Sequence, residues 1–236
     1  MKKFSTLFMM LLAIILLSAC MYPDDELAKN KIPYEDQIKS VQSSVDQFRE
    51  KNNGLLPIKT KEVDTPIYQK YPIDFKKIVP AFMAEIPGNA YENGGVFQYV
   101  LVDVEADPQV KLLDLMMVDT IRDIKLRIQS QGFPPFKERV SDNLFTLDFK
   151  KIGYKKDPVA VSPFTQKNLP FLIDGKGEIY VDYRIDLYEK LKNKEYSYQE
   201  GDDIRGILVQ DSNFVPAFSV PYTIDLKTNE PIFLAN

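Results

Sequence analysis

The sequence predicts an α+β fold built from two related units in tandem. Three observations support this prediction: apolar residues at helical spacing in two separate stretches, strand-like runs after each stretch, and a five-residue sequence, DFKKI, that occurs twice. Each unit would pack one amphipathic helix on a small antiparallel sheet, so that each element buries its apolar face against the other. The predicted units are residues 33–113 and residues 114–236.

The first predicted helix begins near residue 34. Its apolar residues are 34, 38, 41, 45 and 48, a spacing of three or four that places them on one helical face. Residues 52–54 (NNG) end the helix, because Gly54 can adopt the left-handed conformation of a helix cap. Residues 96–103 (VFQYVLVD) predict a strand, and residues 106–108 (ADP) predict the turn that closes it.

The second unit repeats this order of features. A helix with apolar residues at 118, 121, 124 and 128 is predicted to end at Gly132. Residues 147–152 (LDFKKI) share five of six residues with residues 73–78 (IDFKKI), at an offset of 74. We predict a short strand or an edge segment for both, since their apolar and polar residues alternate.

Later segments of the second unit also correspond to segments of the first unit. Residues 177–182 (GEIYVD) are expected to take the place that residues 95–100 (GVFQYV) have in the first unit. Four features in one order favour a tandem duplication over coincidence. Residues 204–208 predict a short helix, and residues 222–226 and 231–234 predict a C-terminal hairpin that completes the second sheet.

The first 20 residues have the pattern of a lipoprotein signal. Two lysines come before an unbroken apolar run, residues 7–17, and residues 17–20 (LSAC) end on the only cysteine of the chain. The run is shorter than the roughly 20 apolar residues that a spanning helix needs. We therefore predict that residues 1–19 are removed, that Cys20 carries a diacylglycerol anchor, and that residues 20–32 form a lipidated tether. The alternative is an uncleaved anchor with Cys20 as an ordinary thiol.

Composition excludes several classes of function. The chain has no histidine, which rules out Ser-His triads, Cys-His pairs, HExxH zinc sites and histidine bases. Once Cys20 is lipidated, no thiol remains for a disulfide or a metal cluster. Without residues 1–19, 28 basic and 34 acidic side chains leave a net charge of −6, which argues against nucleic acid as a partner. We expect no metal and no cofactor.

Several short motifs have simpler structural interpretations. Residues 141–143 (SDN) match one element of penicillin-binding enzymes, but no serine has a lysine three residues later, so a loop is favoured. Residues 174–179 (DGKGEI) lack two oxygen ligands of a calcium loop, and they predict a hairpin turn. Residues 93–95 (NGG) come before a strand and predict a turn. The acidic residues Asp119, Asp123 and Glu138, near Arg122 and Arg127, predict solvated helix pairs.

An aromatic segment near the C-terminus is the candidate partner surface. Its residues are Phe214, Pro216, Phe218 and Tyr222. The prolines stiffen an apolar stretch, which would suit contact with a partner chain if the segment is exposed. Packing in the core is the alternative.

Each unit also resembles the globular head of type IV pilins and pseudopilins. In those heads a helix leads into an N-G-x-x-P-like turn and a small sheet. Residues 53–57 (NGLLP) match that turn, and residues 131–134 (QGFP) match it one residue shorter. The prepilin signal is replaced by residues 17–20 (LSAC), so the resemblance implies a shared shape and no pilus assembly.

Nearly the whole chain resembles the YphF-like lipoproteins of spore-forming Gram-positive bacteria. The residues that carry this resemblance are the lipoprotein signal, residues 97–104 (FQYVLVDV) and residues 215–222 (VPAFSVPY). Some members have been labelled as binding components of ABC transporters. The family carries no assigned activity, so the resemblance implies a location at the cell envelope.

These observations lead to an expected function. We expect a non-catalytic lipoprotein on the outer face of a Gram-positive cytoplasmic membrane, anchored through the diacylglycerol on Cys20 and acting on an envelope protein partner. The first alternative is a solute-binding lipoprotein of an ABC transporter. The second is a wall-acting enzyme that uses two carboxylates.

Overall fold

A computed structural model describes residues 35–193, 196 and 198–234. Within these residues it contains five α-helices, three short 3-10 helices and nine strands in small antiparallel sheets. The α+β prediction is therefore confirmed. Cys20, the signal segment 1–19 and the tether 20–32 lie outside the described residues, and the predictions made for them stay predictions.

The helices and strands are named here in chain order. The α-helices are α1 (Glu35–Lys51), α2 (Phe75–Ile78), α3 (Met116–Gln131), α4 (Arg184–Asn193) and α5 (Gly206–Gln210). The strands are β1 (Phe97–Val102), β2 (Gln109–Asp114), β3 (Phe136–Ser141), β4 (Leu144–Leu147), β5 (Val159–Val161), β6 (Asn168–Asp174), β7 (Ile179–Val181), β8 (Tyr222–Asp225) and β9 (Glu230–Phe233). The 3-10 helices are Ile67–Gln69, Tyr91–Asn93 and Phe149–Ile152.

The two long helices form as their sequences predict. In α1 the apolar face is buried, and acidic residues in the first turn and basic residues in the last turn complement the helix dipole. Gly54 follows α1 with φ of 85° and donates its N–H to the carbonyl of Arg49. Helix α3 ends the same way at Gly132, which has φ of 89° and donates to Ile128. The predicted glycine caps are confirmed.

The repeated DFKKI segments are helical turns, and the strand prediction for them was wrong. Asp74 caps α2 by accepting a hydrogen bond from the N–H of Lys76. Phe75 and Ile78, which are three residues apart, both reach the core from one turn of helix. The same spacing in the second copy places Phe149 and Ile152 in the core from a 3-10 turn. The buried i, i+3 pair therefore decides the conformation.

Corresponding segments of the two halves pair in the same order. In the first half, Ile58 bridges Ile73, and the segment at Ile73 pairs with β1, which pairs with β2. In the second half, β3 pairs with β4, β4 with β6, and β6 with β7. By this pairing order, β6 of the second half corresponds to β1 of the first half. Residues 177–182 were expected to correspond to β1, and that expectation was wrong. Strand β5 also pairs with β6. Strands β8 and β9 form the predicted hairpin, but it is a separate two-stranded sheet, so the prediction that it completes the second sheet was wrong.

Equivalent hydrogen bonds support the predicted duplication. The N–H of Asp74 donates to the carbonyl of Pro57 at 2.7 Å, and the N–H of Asp148 donates to the carbonyl of Pro135 at 2.8 Å. Each bond ties the start of the DFKKI turn to the proline after the preceding helix. The duplication itself and the unit boundaries, residues 33–113 and 114–236, stay predictions.

Two apolar clusters fill the interior, and the β1–β2 ribbon separates them. Tyr99 and Leu112 face the cluster that contains the buried side of α1. Val100 and Leu113, their neighbours along the strands, face the larger cluster formed with α3, β6 and α5. Both faces of this two-stranded ribbon are therefore buried, which explains its almost continuous run of apolar residues.

The aromatic segment near the C-terminus belongs to this interior. Pro216 and Tyr222 are buried, and Phe214 and Phe218 are half-buried against the two clusters. The ring of Phe214 lies 5.7 Å from that of Phe97. The prediction of a partner surface at these four residues was wrong, because their apolar side chains pack inward on both sides of the segment.

Candidate functional site

A groove of about 810 Å³ lies where the β1–β2 ribbon meets α5. Its lining comes from the 3-10 helix Ile67–Gln69, from the turn between β1 and β2, and from one side of α5. The side chains that define this junction groove are Tyr68, Leu101, Asp103, Glu105, Lys111 and Val209. None of them was a candidate in the sequence, since they come from four distant segments.

One wall of the junction groove is apolar and aromatic. Leu101 and Val209 come from the two core clusters and border the groove, although both residues are buried. Tyr68 and Tyr71 add half-buried rings. Burial raises the pKa of Tyr68 to about 12, so its phenol stays protonated and uncharged at neutral pH.

Two basic groups, Lys111 in the lining of the junction groove and Arg205 behind Tyr68, are hydrogen-bonded within the protein itself. Lys111 Nζ donates to the carbonyl oxygen of Ser212 at 2.6 Å, and burial lowers the pKa of this lysine. Arg205 beside Tyr68 donates from Nη2 to Asp203 at 2.6 Å and from Nη1 to the carbonyl of Ser219 at 3.3 Å. Its guanidinium lies 5.3 Å from the centre of the Tyr68 ring, within the range of a cation–π contact.

Two carboxylates on the β1–β2 turn form an acidic edge of the groove. Asp103 and Glu105 are exposed, and within the part of the chain that the structure describes neither side chain forms an ion pair or a hydrogen bond. Asp103 has φ of 51°, a left-handed conformation that aspartate tolerates better than most residues. The N–H of Ala106 donates to the carbonyl of Asp103, which closes the turn.

A second groove, of about 800 Å³, lies beside α4 and β9. Its charged side chains are mostly paired with each other. Arg184 Nη2 lies 2.6 Å from Asp182 Oδ2, and Lys167 forms an ion pair with Glu189. Exposed apolar surface at Ile185 borders it. The charged residues that line this groove are three basic and three acidic, so their charges cancel, whereas those of the junction groove, Asp103, Glu105 and Lys111, leave a net negative charge.

A buried carboxyl group joins α4 to the turn between β5 and β6. Asp186 accepts hydrogen bonds from the hydroxyls of Ser162 at 2.8 Å and Thr165 at 2.5 Å. Burial raises the pKa of Asp186 in spite of these hydrogen bonds. The residue lines neither groove, so we assign it a structural role in holding the turn against the helix.

The other motifs of the sequence occupy the turns and helix surfaces that were expected. Asp174 accepts hydrogen bonds from Lys176 and Glu178 in the β6–β7 turn, and residues 141–143 connect β3 to β4. The acidic residues of α3 form i, i+3 and i, i+4 pairs with Arg122 and Arg127. The turn predictions are confirmed, and the helix-pair prediction is confirmed for Asp119 and Asp123 but was wrong for Glu138. Glu138 instead lies on β3, where it pairs with its neighbour Lys137.

The described residues contain neither a cluster of metal ligands nor a membrane-spanning helix. No three acidic, histidine or cysteine side chains among residues 35–193, 196 and 198–234 come together as metal ligands would. In the same residues no helix combines the length and the apolar character needed to cross a bilayer.

The fold and the groove define an α+β protein with a solvent-open groove where two apolar cores meet. Comparison with protein families adds a relationship for the first half: residues 34–114 match the model of the YphF family N-terminal domain. This match supports a YphF-like family for the chain. It covers α1 and the β1–β2 ribbon, and so includes Tyr68, Asp103 and Lys111 of the junction groove. No curated protein and no solved structure gives a match.

Proposed function

We propose that this protein is a lipid-anchored, extracytoplasmic binding module of the cell envelope, which acts through contacts with a partner protein and has no catalytic role. The observation that carries the proposal is the junction groove, with an apolar wall and a few polar groups where two cores meet. Such concave sites at the meeting of structural units are the usual place for ligand binding.

The location in this proposal rests on the N-terminal sequence. Residues 17–20 (LSAC) and the preceding apolar run have the pattern of a lipoprotein signal. Two acyl chains on Cys20 would hold the protein stably on the membrane, where a single chain gives only marginal binding. An anchored domain meets membrane partners at a raised effective concentration, so even a modest groove affinity would suffice.

The proposed lack of catalysis rests on composition. The absence of histidine removes the most frequent general base and metal ligand. The carboxyl group with a raised pKa, Asp186, is engaged by two hydroxyls and lines neither groove. These observations favour a protein that works by binding.

Site-specific photo-crosslinking in cells tests the proposal. A photoreactive residue replaces Gln210, which is exposed on the edge of the junction groove, and a matched one replaces Lys156, which is exposed and lines neither groove. We expect a discrete crosslinked partner from position 210 and none from position 156. The Cys20→Ala variant should leave the membrane and lose the crosslink. A Cys20→Ala protein that keeps an uncleaved N-terminus and stays on the membrane would contradict the anchor.

A solute-binding lipoprotein of an ABC transporter is the second candidate. The volume of the junction groove, about 810 Å³, falls within the range of roughly 300–1,000 Å³ that is typical of small-molecule pockets. Crosslinks from position 210 to a permease, together with a rise in melting temperature on adding one small solute, would favour it. A reproducible hydrolytic rate on cell-wall material, lost on replacing a carboxylate, would instead favour a wall-acting enzyme.

A further inference from the structure

We infer that the junction groove binds a basic segment of the partner protein, in which a lysine or arginine lies next to an apolar or aromatic residue. This inference rests on the proposed function and adds the chemistry of the partner. It combines an acidic edge without ion pairs, an apolar wall and a lysine held by a backbone carbonyl in one groove.

The charge of the groove selects a cationic partner. Asp103 and Glu105 lie on the same turn, and within the described part of the chain neither carboxylate forms an ion pair, although Asp103 is close enough to interact electrostatically with Lys111. These two carboxylates outnumber the one basic residue that lines the groove. Opposite charges across an interface raise the association rate and reject like-charged partners. The net charge of the whole chain, −4, also attracts a cationic partner.

The basic residue that lines the groove, Lys111, does not offer a site for an anion. An anionic ligand would have to replace the bond between Lys111 Nζ and the Ser212 carbonyl, at 2.6 Å, and would be repelled by Asp103 and Glu105. Breaking that bond leaves a partly buried ammonium group without its partner, which disfavours the exchange. A basic segment leaves this interaction in place.

The apolar wall explains why a second, apolar side chain belongs in the segment. The rings of Tyr68 and Tyr71 border the groove beside Leu101 and Val209. Lysine and arginine can lay their methylene stems on such a surface while the charged end reaches a carboxylate. An adjacent aromatic residue would bury further apolar area against the same wall.

The turn that carries the carboxylates is already fixed for binding. Asp103 is held in a left-handed conformation, and its carbonyl accepts the N–H of Ala106 at 3.2 Å. Leu101, two residues before it, hydrogen-bonds through its N–H to the carbonyl of the neighbouring Tyr71 at 2.9 Å. A pre-organised edge lowers the entropy cost of association.

Three tripeptides test the inference: Lys-Trp-Lys, its neutral counterpart Ala-Trp-Ala and its acidic counterpart Glu-Trp-Glu. The protein contains no tryptophan, so the fluorescence anisotropy of the peptide indole reports binding without background from the protein. The protein is the full chain with Cys20→Ala. We expect Lys-Trp-Lys to bind about tenfold more tightly than the other two peptides, and less tightly as salt rises.

A pair of matched variants separates the groove from general charge attraction. Asp103→Asn combined with Glu105→Gln removes the acidic edge, and asparagine tolerates the left-handed conformation at position 103. Asp157→Asn combined with Glu50→Gln makes the same change of charge at exposed positions that do not line the junction groove. We expect the first variant to weaken Lys-Trp-Lys binding about tenfold and the second to leave it unchanged.

Three outcomes would overturn the inference: no binding of Lys-Trp-Lys, equal binding of all three peptides, or equal weakening in both variants. None of these decides the proposed function, because the crosslinks from position 210 are measured separately in cells. Crosslinks without a preference for basic peptides would leave a binding module whose partner has another chemistry.

Discussion

The side chain of Gln42 caps the edge of the β1–β2 ribbon at Val110. Its Oε1 accepts the N–H of Val110 at 2.7 Å, and its Nε2 donates to the carbonyl of Pro108 at 3.0 Å. These are the two bonds that a neighbouring strand would make to alternate residues. The amide of one helix residue thus satisfies part of a strand edge that would otherwise remain open to pairing with another chain.

Replacing Gln42 with alanine should therefore destabilise the protein. The change leaves the N–H of Val110 and the carbonyl of Pro108 without these partners next to a buried strand, and the expected loss of unfolding free energy is about 1–3 kcal/mol. Denaturant unfolding measures it. Gln47→Ala, at an exposed position of the same helix, is the control and should change stability by less than about 0.5 kcal/mol. Equal effects of both changes would disprove the capping role.

The hydroxyl of Tyr222 should matter for stability as well. It accepts the N–H of Tyr183 at 2.9 Å and donates to the carbonyl of Val181 at 3.2 Å, in a fully buried position. Tyr222→Phe should cost about 1–3 kcal/mol, because two buried backbone groups lose their partner. Tyr188, which is 45% exposed, gives the matched Tyr→Phe control. Thermal unfolding of the two variants compares them, and similar melting temperatures would contradict the prediction.

Gly95 is required by close packing. A Cβ at this position would lie 2.1 Å from the backbone carbon and oxygen of Asn89, which cannot move as a flexible side chain can. Gly95→Ala should therefore cost about 3 kcal/mol or more. A Cβ at Gly88 would meet no atom within 4 Å, so Gly88→Ala is the control. Comparable unfolding free energies for the two variants would show that the turn at Asn89 adjusts freely.

The buried Asp186 should make stability depend on pH. Burial raises the pKa of its carboxyl group above the ordinary value of 3.8, so the folded protein binds a proton in a range where the unfolded chain has lost it. The contribution of this group to stability therefore falls as pH rises from about 3.8 through the folded-state pKa. Asp186→Asn cannot ionise, and its stability relative to wild type should increase over that range. Denaturant unfolding at a series of pH values, beside the exposed-site variant Asp157→Asn, measures the difference.

Much of the fold could be predicted because it depends on local patterns. The apolar spacing of α1 and α3 and the left-handed glycines after them each involve neighbours along the chain. The conformation of the DFKKI segments was harder to predict. Apolar residues two positions apart are typical of a strand, and apolar residues three positions apart are typical of a helical turn. Each six-residue segment contains both spacings. Contacts of Phe75 and Ile78 with distant core residues select the turn.

The candidate site could not be predicted in the same way. Tyr68, Asp103 and Val209 are joined only by the tertiary fold, and no spacing along the sequence relates them. The aromatic segment failed for a related reason: its sequence identifies apolar residues, but only packing reveals that Pro216 and Tyr222 are buried. Cys20 remains a sequence-based prediction, tested by the Cys20→Ala variant.

The β1–β2 ribbon, with Tyr99 in one core and Val100 in the other, links the folding of the two halves. If either core opens, one apolar face of the ribbon becomes exposed to water. The other core packs against the opposite face of the same two strands and loses its support. Unfolding should therefore proceed as a single cooperative transition. A partner bound in the junction groove, which is bordered by this ribbon, would raise the stability of both halves together.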